Sequence, residues 1–84
     1  MTQFTVVWVE SALDELASLW VASADRNSIS AASNAIDKEL AADASKKGVE
    51  LPEGLRALFV PPLRIIFTVR ENDRVAEVLR IRQL

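Results

Sequence analysis

The stretch LFVPPLRIIFTV, Leu58 to Val69, decides the reading of the fold, because it sets two apolar runs on either side of a proline pair. Runs rich in β-branched and aromatic residues that flank turn chemistry predict neighbouring antiparallel strands. The second run also carries a single charge, Arg64, among Leu63, Ile65, Ile66 and Phe67. Whether that arginine is a solubilising charge on a strand or a group held on a sheet for use is the question from which a function must be read.

Working outward, LRALFV before the prolines and RVAEVLRI after the segment ENDR complete three consecutive β runs. The polar stretch ASKKGVELPEG, with Gly48, Pro52 and Gly54, reads as the one clear loop. Two helices precede it. In the first, Ser11 is the expected cap, with Asp14 three residues on, and Leu13, Leu16, Ala17 and Trp20 form the apolar stripe. The second is expected from Asn27 or Ser28 to Asp43, with Ile29, Ala32, Ile36 and Leu40 as its stripe. The link SADRN is short enough to make the pair an antiparallel hairpin. QFTVVWV reads as an opening strand. The order β-α-α-β-β-β predicts an α+β fold in one domain, residues 1–84, with the helix hairpin covering one face of a small antiparallel sheet.

The parity of the last hairpin decides which residues share a side of that sheet with Arg64. A loop of three residues, END, or an equivalent bulge, collects Leu63, Ile65, Phe67, Val69, Val75, Leu79 and Ile81 on one face, with Glu77 as the exception. The other face then holds Arg64, Ile66, Thr68, Arg70, Arg74, Ala76, Val78, Arg80 and Arg82. This choice separates apolar from charged residues and is therefore preferred. By its alternation with Leu55, Ala57 and Phe59, Arg56 is expected on the arginine face as well. Clustered guanidiniums repel one another, so an anionic ligand or a carboxylate partner explains their convergence better than stability does. The competing reading is that their stems cover apolar neighbours while the charges are merely solvated.

Charge is distributed unevenly. Residues 1–53 hold nine acidic side chains against four basic, and residues 54–84 hold six arginines against three acids, within a net charge of -2. The C-terminal part can meet an acidic or phosphate-bearing partner, while the whole chain exerts no long-range pull on nucleic acid. A chain of 84 residues with no cysteine and no histidine lacks the usual staples of a small domain, so burial by a partner chain is an option. The first ten residues carry no positive charge and too short an apolar run for a leader, and no stretch reaches the length of a membrane span. A cytoplasmic protein without a membrane association is the expectation. No cofactor and no metal site is expected. Trp8 and Trp20 read as core residues; the acidic pairs Asp14 and Glu15, and Asp37 and Glu39, read as solvent charges.

The stretch GLRALFVPPLRIIFTV resembles the RelE/ParE superfamily of toxins from bacterial type II toxin-antitoxin systems, the plasmid-stabilisation class. Gly54 and Arg56 match its Gly-x-Arg element, Arg64, Ile65, Ile66 and Phe67 its arginine-bearing strand, and VLRIRQL its final strand. FTVVWVESALDELASLW is similar to the family's opening strand and helix. ELAADASKKG stands at its Asp-Pro segment, with Ala44 where proline is usual. The resemblance implies that the face bearing Arg56, Arg64, Arg80 and Arg82 is the target- or partner-binding surface, and that a cognate antitoxin is the partner.

Three functions are compatible with it. A ParE-like member binds and inhibits DNA gyrase, which requires a binding surface and no general base. A RelE-like member cleaves mRNA on the ribosome, and Arg56, Arg64 and Arg82 are then the candidate catalytic residues. The absence of histidine, tyrosine and cysteine removes the usual proton-transfer groups, for which Lys46, Lys47, Glu50 or Glu53 would have to substitute. A non-toxic relative serving as an antitoxin-binding partner is the third. A homodimer is compatible with all three.

Overall fold

In the computed structural model, which describes residues 3–84, the chain runs β1 (Thr5–Trp8), α1 (Glu10–Ala22), α2 (Arg26–Asp43), β2 (Val49–Glu50), β3 (Leu55–Val60), β4 (Leu63–Arg70) and β5 (Val75–Gln83). Met1 and Thr2, at the head of the segment read for a leader, lie outside the described residues. The strands form one sheet in the order β1-β5-β4-β3-β2. The expected α+β architecture is present with two additions. β1 pairs with β5 in parallel, so the sheet is mixed, and the loop after α2 contains the two-residue edge strand β2 between two 3-10 turns.

β3 and β4 form a hairpin across a cis Pro61-Pro62 peptide, with Val60 opposite Leu63. The two-residue turn puts Leu58 and Val60 on the side of Ile65 and Leu63. That is the core side. Here Leu63, Ile65 and Phe67 of β4 and Ala76, Val78 and Ile81 of β5 are buried with Phe4 and with Ile29, Ala32, Ile36 and Leu40 of α2. The α2 stripe is thus the one its 3.6-residue periodicity predicts. Asp25 caps this helix by accepting the backbone N–H of Ser28 at 3.1 Å and its hydroxyl at 2.6 Å. The Ser28 hydroxyl, and after it the amide, holds the Asp25 carboxyl below the usual carboxylate range.

α1 departs from the sequence expectation in two ways. It begins at Glu10 with Val9 as its cap residue and no side-chain cap, because the chain passes from the sheet straight into the helix: the Val9 N–H still donates to the Val78 carbonyl while the Val9 carbonyl already accepts from Leu13. Ser11 is therefore inside the helix. Its inward face is also different. Ala12 is buried and Leu16 and Leu19 pack against the core, whereas Leu13, Ala17 and Trp20 are exposed. The helix is apolar on more than one side, and its position beside β5 selects which side is covered.

The connection between the helices is clipped by Arg26. Its guanidinium donates to the carbonyls of Trp20 and Val21, both at 3.2 Å, and lies 4.7 Å from the Trp20 ring centre. It satisfies carbonyls left open at the end of α1 and complements the helix dipole. Trp8 is half-buried against the core as expected, and its indole N–H donates to Asp37 at 2.7 Å.

Candidate functional site on the open sheet face

Four residues, Glu71 to Arg74, connect β4 and β5, so Arg70 faces Val75 and the even loop puts Val69 with Ala76 and Phe67 with Val78. The three-residue loop is thus not formed. A bulge at Leu79 then shifts the register between Ile66 and Phe67, and beyond it Ile66 faces Arg80 and Arg64 faces Arg82. The expected faces are accordingly correct past the bulge and exchanged before it. Ala76 and Val78 are fully buried core residues, not members of the arginine face. A single extra residue reverses the inward-outward alternation of everything after it.

The face turned away from α2 therefore carries Arg64, Ile66, Thr68 and Arg70 from β4, Glu77, Arg80 and Arg82 from β5, and Ala57 and Phe59 from β3. Arg56 is not on it. It pairs with Phe67 and so points to the helix side, where its Nε donates to the Lys47 carbonyl at 2.8 Å. The reason is the tight proline turn: with Val60 directly opposite Leu63, even-numbered residues of β3 fall on the core side. Phe59 takes the position beside Arg64 instead, and its side chain is 53% exposed. The two-residue spacing of the prolines, combined with parity, is the signal that identifies Phe59.

The four loop residues considered as proton-transfer groups are not gathered at Arg64. Lys47 forms an ion pair with Glu39 of α2 at 3.0 Å, and Glu50 of β2 stands opposite Arg56, at the edge two strands removed from β4. Glu53 and Lys46 are exposed in the two 3-10 turns, Glu53 with a φ of 65°.

The arginines of the open face differ in how their charges are balanced. Arg70 lies 3.9 Å from Glu77. Arg80 lies 4.0 Å from Glu15 of α1, and Arg82 is hydrogen-bonded to the same carboxylate. The hydrogen bond from Arg82 holds the Glu15 carboxyl below the usual carboxylate range; burial opposes this, and the Ile81 N–H and the charges of Arg82 and Arg80 reinforce it. Arg64 has no carboxylate among its described neighbours within ion-pair distance. Its Nε is buried without a hydrogen-bond partner, and the residue directly across the strand is another arginine, Arg82. A buried donor left unpaired costs about 1–3 kcal/mol, and like charges directly opposite each other are unfavourable. Arg64 is thus the cation that the sheet holds at a cost to its own stability.

A second surface lies on the helix hairpin. Leu16, Ala17, Trp20, Val21, Ile29, Ser30 and Ser33 line a shallow, mainly apolar groove of about 320 Å³, continued by exposed Leu13. Trp20, expected from the sequence in the core, belongs to this groove: its ring is 41% exposed, with the indole N–H on the Ser30 hydroxyl at 3.2 Å.

This arrangement of strands and helices is that of the RelE/ParE-like toxin fold. A chain of the toxin-antitoxin complex RelBE2 from Mycobacterium tuberculosis superposes with a TM-score of 0.82 at 16% identity, covering 100% of this chain and 94% of that one. The chromosomal ParDE system of P. aeruginosa gives 0.69 at 22% identity, with 98% and 97% covered. The archaeal RelE-RelB complex of Pyrococcus horikoshii gives 0.66 at 16%, with 98% and 96% covered. No curated protein sequence matches. The family described as ParE toxin of type II toxin-antitoxin system, parDE, matches residues 6–83, and the chain belongs to that family.

Proposed function

We propose that this toxin acts by binding a protein target through the open sheet face, with Arg64 as the central contact and Phe59 beside it. The observation that carries the reading is Arg64 itself: a guanidinium with a buried, unpartnered Nε, adjacent to an exposed aromatic ring. Aromatic and arginine side chains together are the usual anchors of protein interfaces. A carboxylate of the partner would supply the missing acceptor. DNA gyrase is the target that the resemblance to ParE implies.

RNA cleavage is the less favoured reading. It needs a proton-transfer group near the arginine, and Lys47 and Glu50 are placed elsewhere. The partner that restrains the toxin is a cognate antitoxin, the relation in which the structurally similar RelBE2, ParDE and RelE-RelB proteins occur. Its apolar segment would cover the groove of Leu16, Trp20 and Val21, exposed apolar surface that a helix-in-groove contact would remove from water.

Tightly controlled expression in a bacterial host, comparing wild type with Arg64→Ala, tests this. Wild type is expected to stop colony formation and the variant to permit it, with DNA replication failing before translation. Toxicity that persists in the variant, or translation failing first with mRNA cleaved on the ribosome, would refute the proposal.

A further inference from the structure

β1 ends at Trp8, opposite Val78, whereas β5 continues to Gln83. The outer edge of β5 past that point is closed by side chains. One Glu15 oxygen accepts the Ile81 N–H at 3.1 Å, and the other accepts the Arg82 guanidinium, which itself donates to the Ile81 carbonyl at 2.9 Å. A carboxylate and a guanidinium thus stand where the backbone of another strand would be. Such closure protects an open edge. It also binds Arg82, and draws in Arg80 at 4.0 Å, by means of one negative charge.

We propose that Glu15 is a specificity-determining residue of the open face: by holding Arg82 and Arg80 at the sheet edge it leaves Arg64, among the described residues, as the one uncompensated strand arginine there, so the face accepts a protein carboxylate and rejects a run of nucleic-acid phosphates. The proposal rests on the open face being the target surface. Arg80 and Arg82 are two residues apart on one strand and Arg64 is on the next, which separates neighbouring Cα atoms by roughly 5–7 Å. Three free guanidiniums at that spacing would form a patch able to neutralise several phosphates. Affinity for a polyanion grows with the number neutralised, whereas a single arginine with an aromatic neighbour favours one carboxylate. With Glu15 on Arg80 and Arg82 and Glu77 on Arg70, most of that polyanion affinity is withheld.

The test is binding of a fluorescently labelled single-stranded RNA oligonucleotide to the full chain, followed by polarisation across a salt series. Glu15→Gln keeps an oxygen for the Ile81 N–H and removes the charge. Each additional phosphate that the protein neutralises steepens the salt dependence by about 0.7 and raises affinity roughly eightfold at 0.05 M salt relative to 1 M. Glu15→Gln is therefore expected to bind the RNA about eightfold more tightly at low salt than wild type, with a steeper slope. The triple variant Glu15→Gln/Arg80→Gln/Arg82→Gln should bind no more tightly than Arg80→Gln/Arg82→Gln, because Glu15 holds both arginines. A merely structural role for Glu15 would lower stability without this gain that depends on Arg80 and Arg82. Circular dichroism establishes that each variant is folded; should the glutamine variant not fold, Glu15→Met, with a similarly long unbranched side chain, replaces it under the same expectations. No gain, or a gain that survives the loss of both Arg80 and Arg82, overturns the proposal. Because the assay reads RNA binding in solution, it can fail while the toxicity of wild type still depends on Arg64, and the reverse.

Discussion

Replacing Arg64 by methionine should make the protein more stable and less active at once. The structure assigns two unfavourable contributions to this side chain. Its Nε is buried with no acceptor, worth about 1–3 kcal/mol, and it stands opposite Arg82, worth about 0.2–1 kcal/mol for like charges on neighbouring strands. The second contribution lies at the low end, because Glu15 already compensates Arg82. Methionine keeps an unbranched stem of similar reach and removes both. A gain of about 1–2 kcal/mol follows, which for a domain of this size corresponds to a rise of roughly 5–15 °C in Tm. The assay is thermal unfolding of the purified chain by circular dichroism, paired with colony survival on induction. Raised Tm with lost toxicity is the signature of a residue retained for use at the expense of stability. A Tm that is unchanged or lowered would show that the buried Nε is not a burden on the fold, and Arg64 would lose the property that singles it out.

Gly48 and Gly54 both have positive φ, at 70° and 78°, but only at Gly48 would a Cβ meet backbone, 2.1 Å from the Ala57 carbonyl oxygen. Gly48→Ala should cost about 3 kcal/mol or more and Gly54→Ala about 1–2 kcal/mol from the left-handed conformation alone; equal losses in urea unfolding would contradict this geometry. Arg56→Ala removes the bond to the Lys47 carbonyl and should lower stability by about 1–2 kcal/mol while the chain remains toxic; loss of toxicity in a folded variant would place Arg56 at the target surface after all. The Glu15 carboxyl is held below its ordinary pKa chiefly by the hydrogen bond from Arg82, so its contribution to stability is fully present above its unfolded pKa, about 4.3. That contribution is lost as pH falls through the lower folded value. Glu15→Gln should accordingly be less stable than wild type at pH 7, with the gap closing below about pH 4; a gap constant down to about pH 3 would exclude the ion pair as its source.

The α2 stripe of Ile29, Ala32, Ile36 and Leu40 is legible in the sequence because that helix is polar elsewhere, so only one face can turn inward. α1 is not legible in the same way. Ala12, Leu16 and Leu19 and the competing set Leu13, Leu16, Ala17 and Trp20 both satisfy helical spacing, and nothing local to the helix distinguishes them. Arg56 is ambiguous for a related reason: β3 has apolar residues in both parities, Leu55, Ala57 and Phe59 against Leu58 and Val60. With the pattern balanced, the charge of Arg56 points outward and misleads. The tight Pro61-Pro62 turn settles the matter, because it fixes Val60 opposite Leu63, and parity then carries Phe59 to Arg64.

Taken alone, the sequence determined the order of the helices and main strands, the α+β class and the α2 core stripe, since each follows from periodicity and turn chemistry over a few neighbouring residues, whereas Arg80 and Arg82 share the face of Arg64 only through the bulge in β5. Tertiary structure alone decided that α1 lies beside β5, that Leu79 forms a bulge, and that Glu15, 67 residues away in sequence from Arg82, compensates two of the three arginines. Those outcomes depend on the free energy of closing and packing distant segments. No local pattern records which carboxylate will reach which guanidinium, and so the distinction between a paired Arg82 and an unpaired Arg64 exists only in the folded chain.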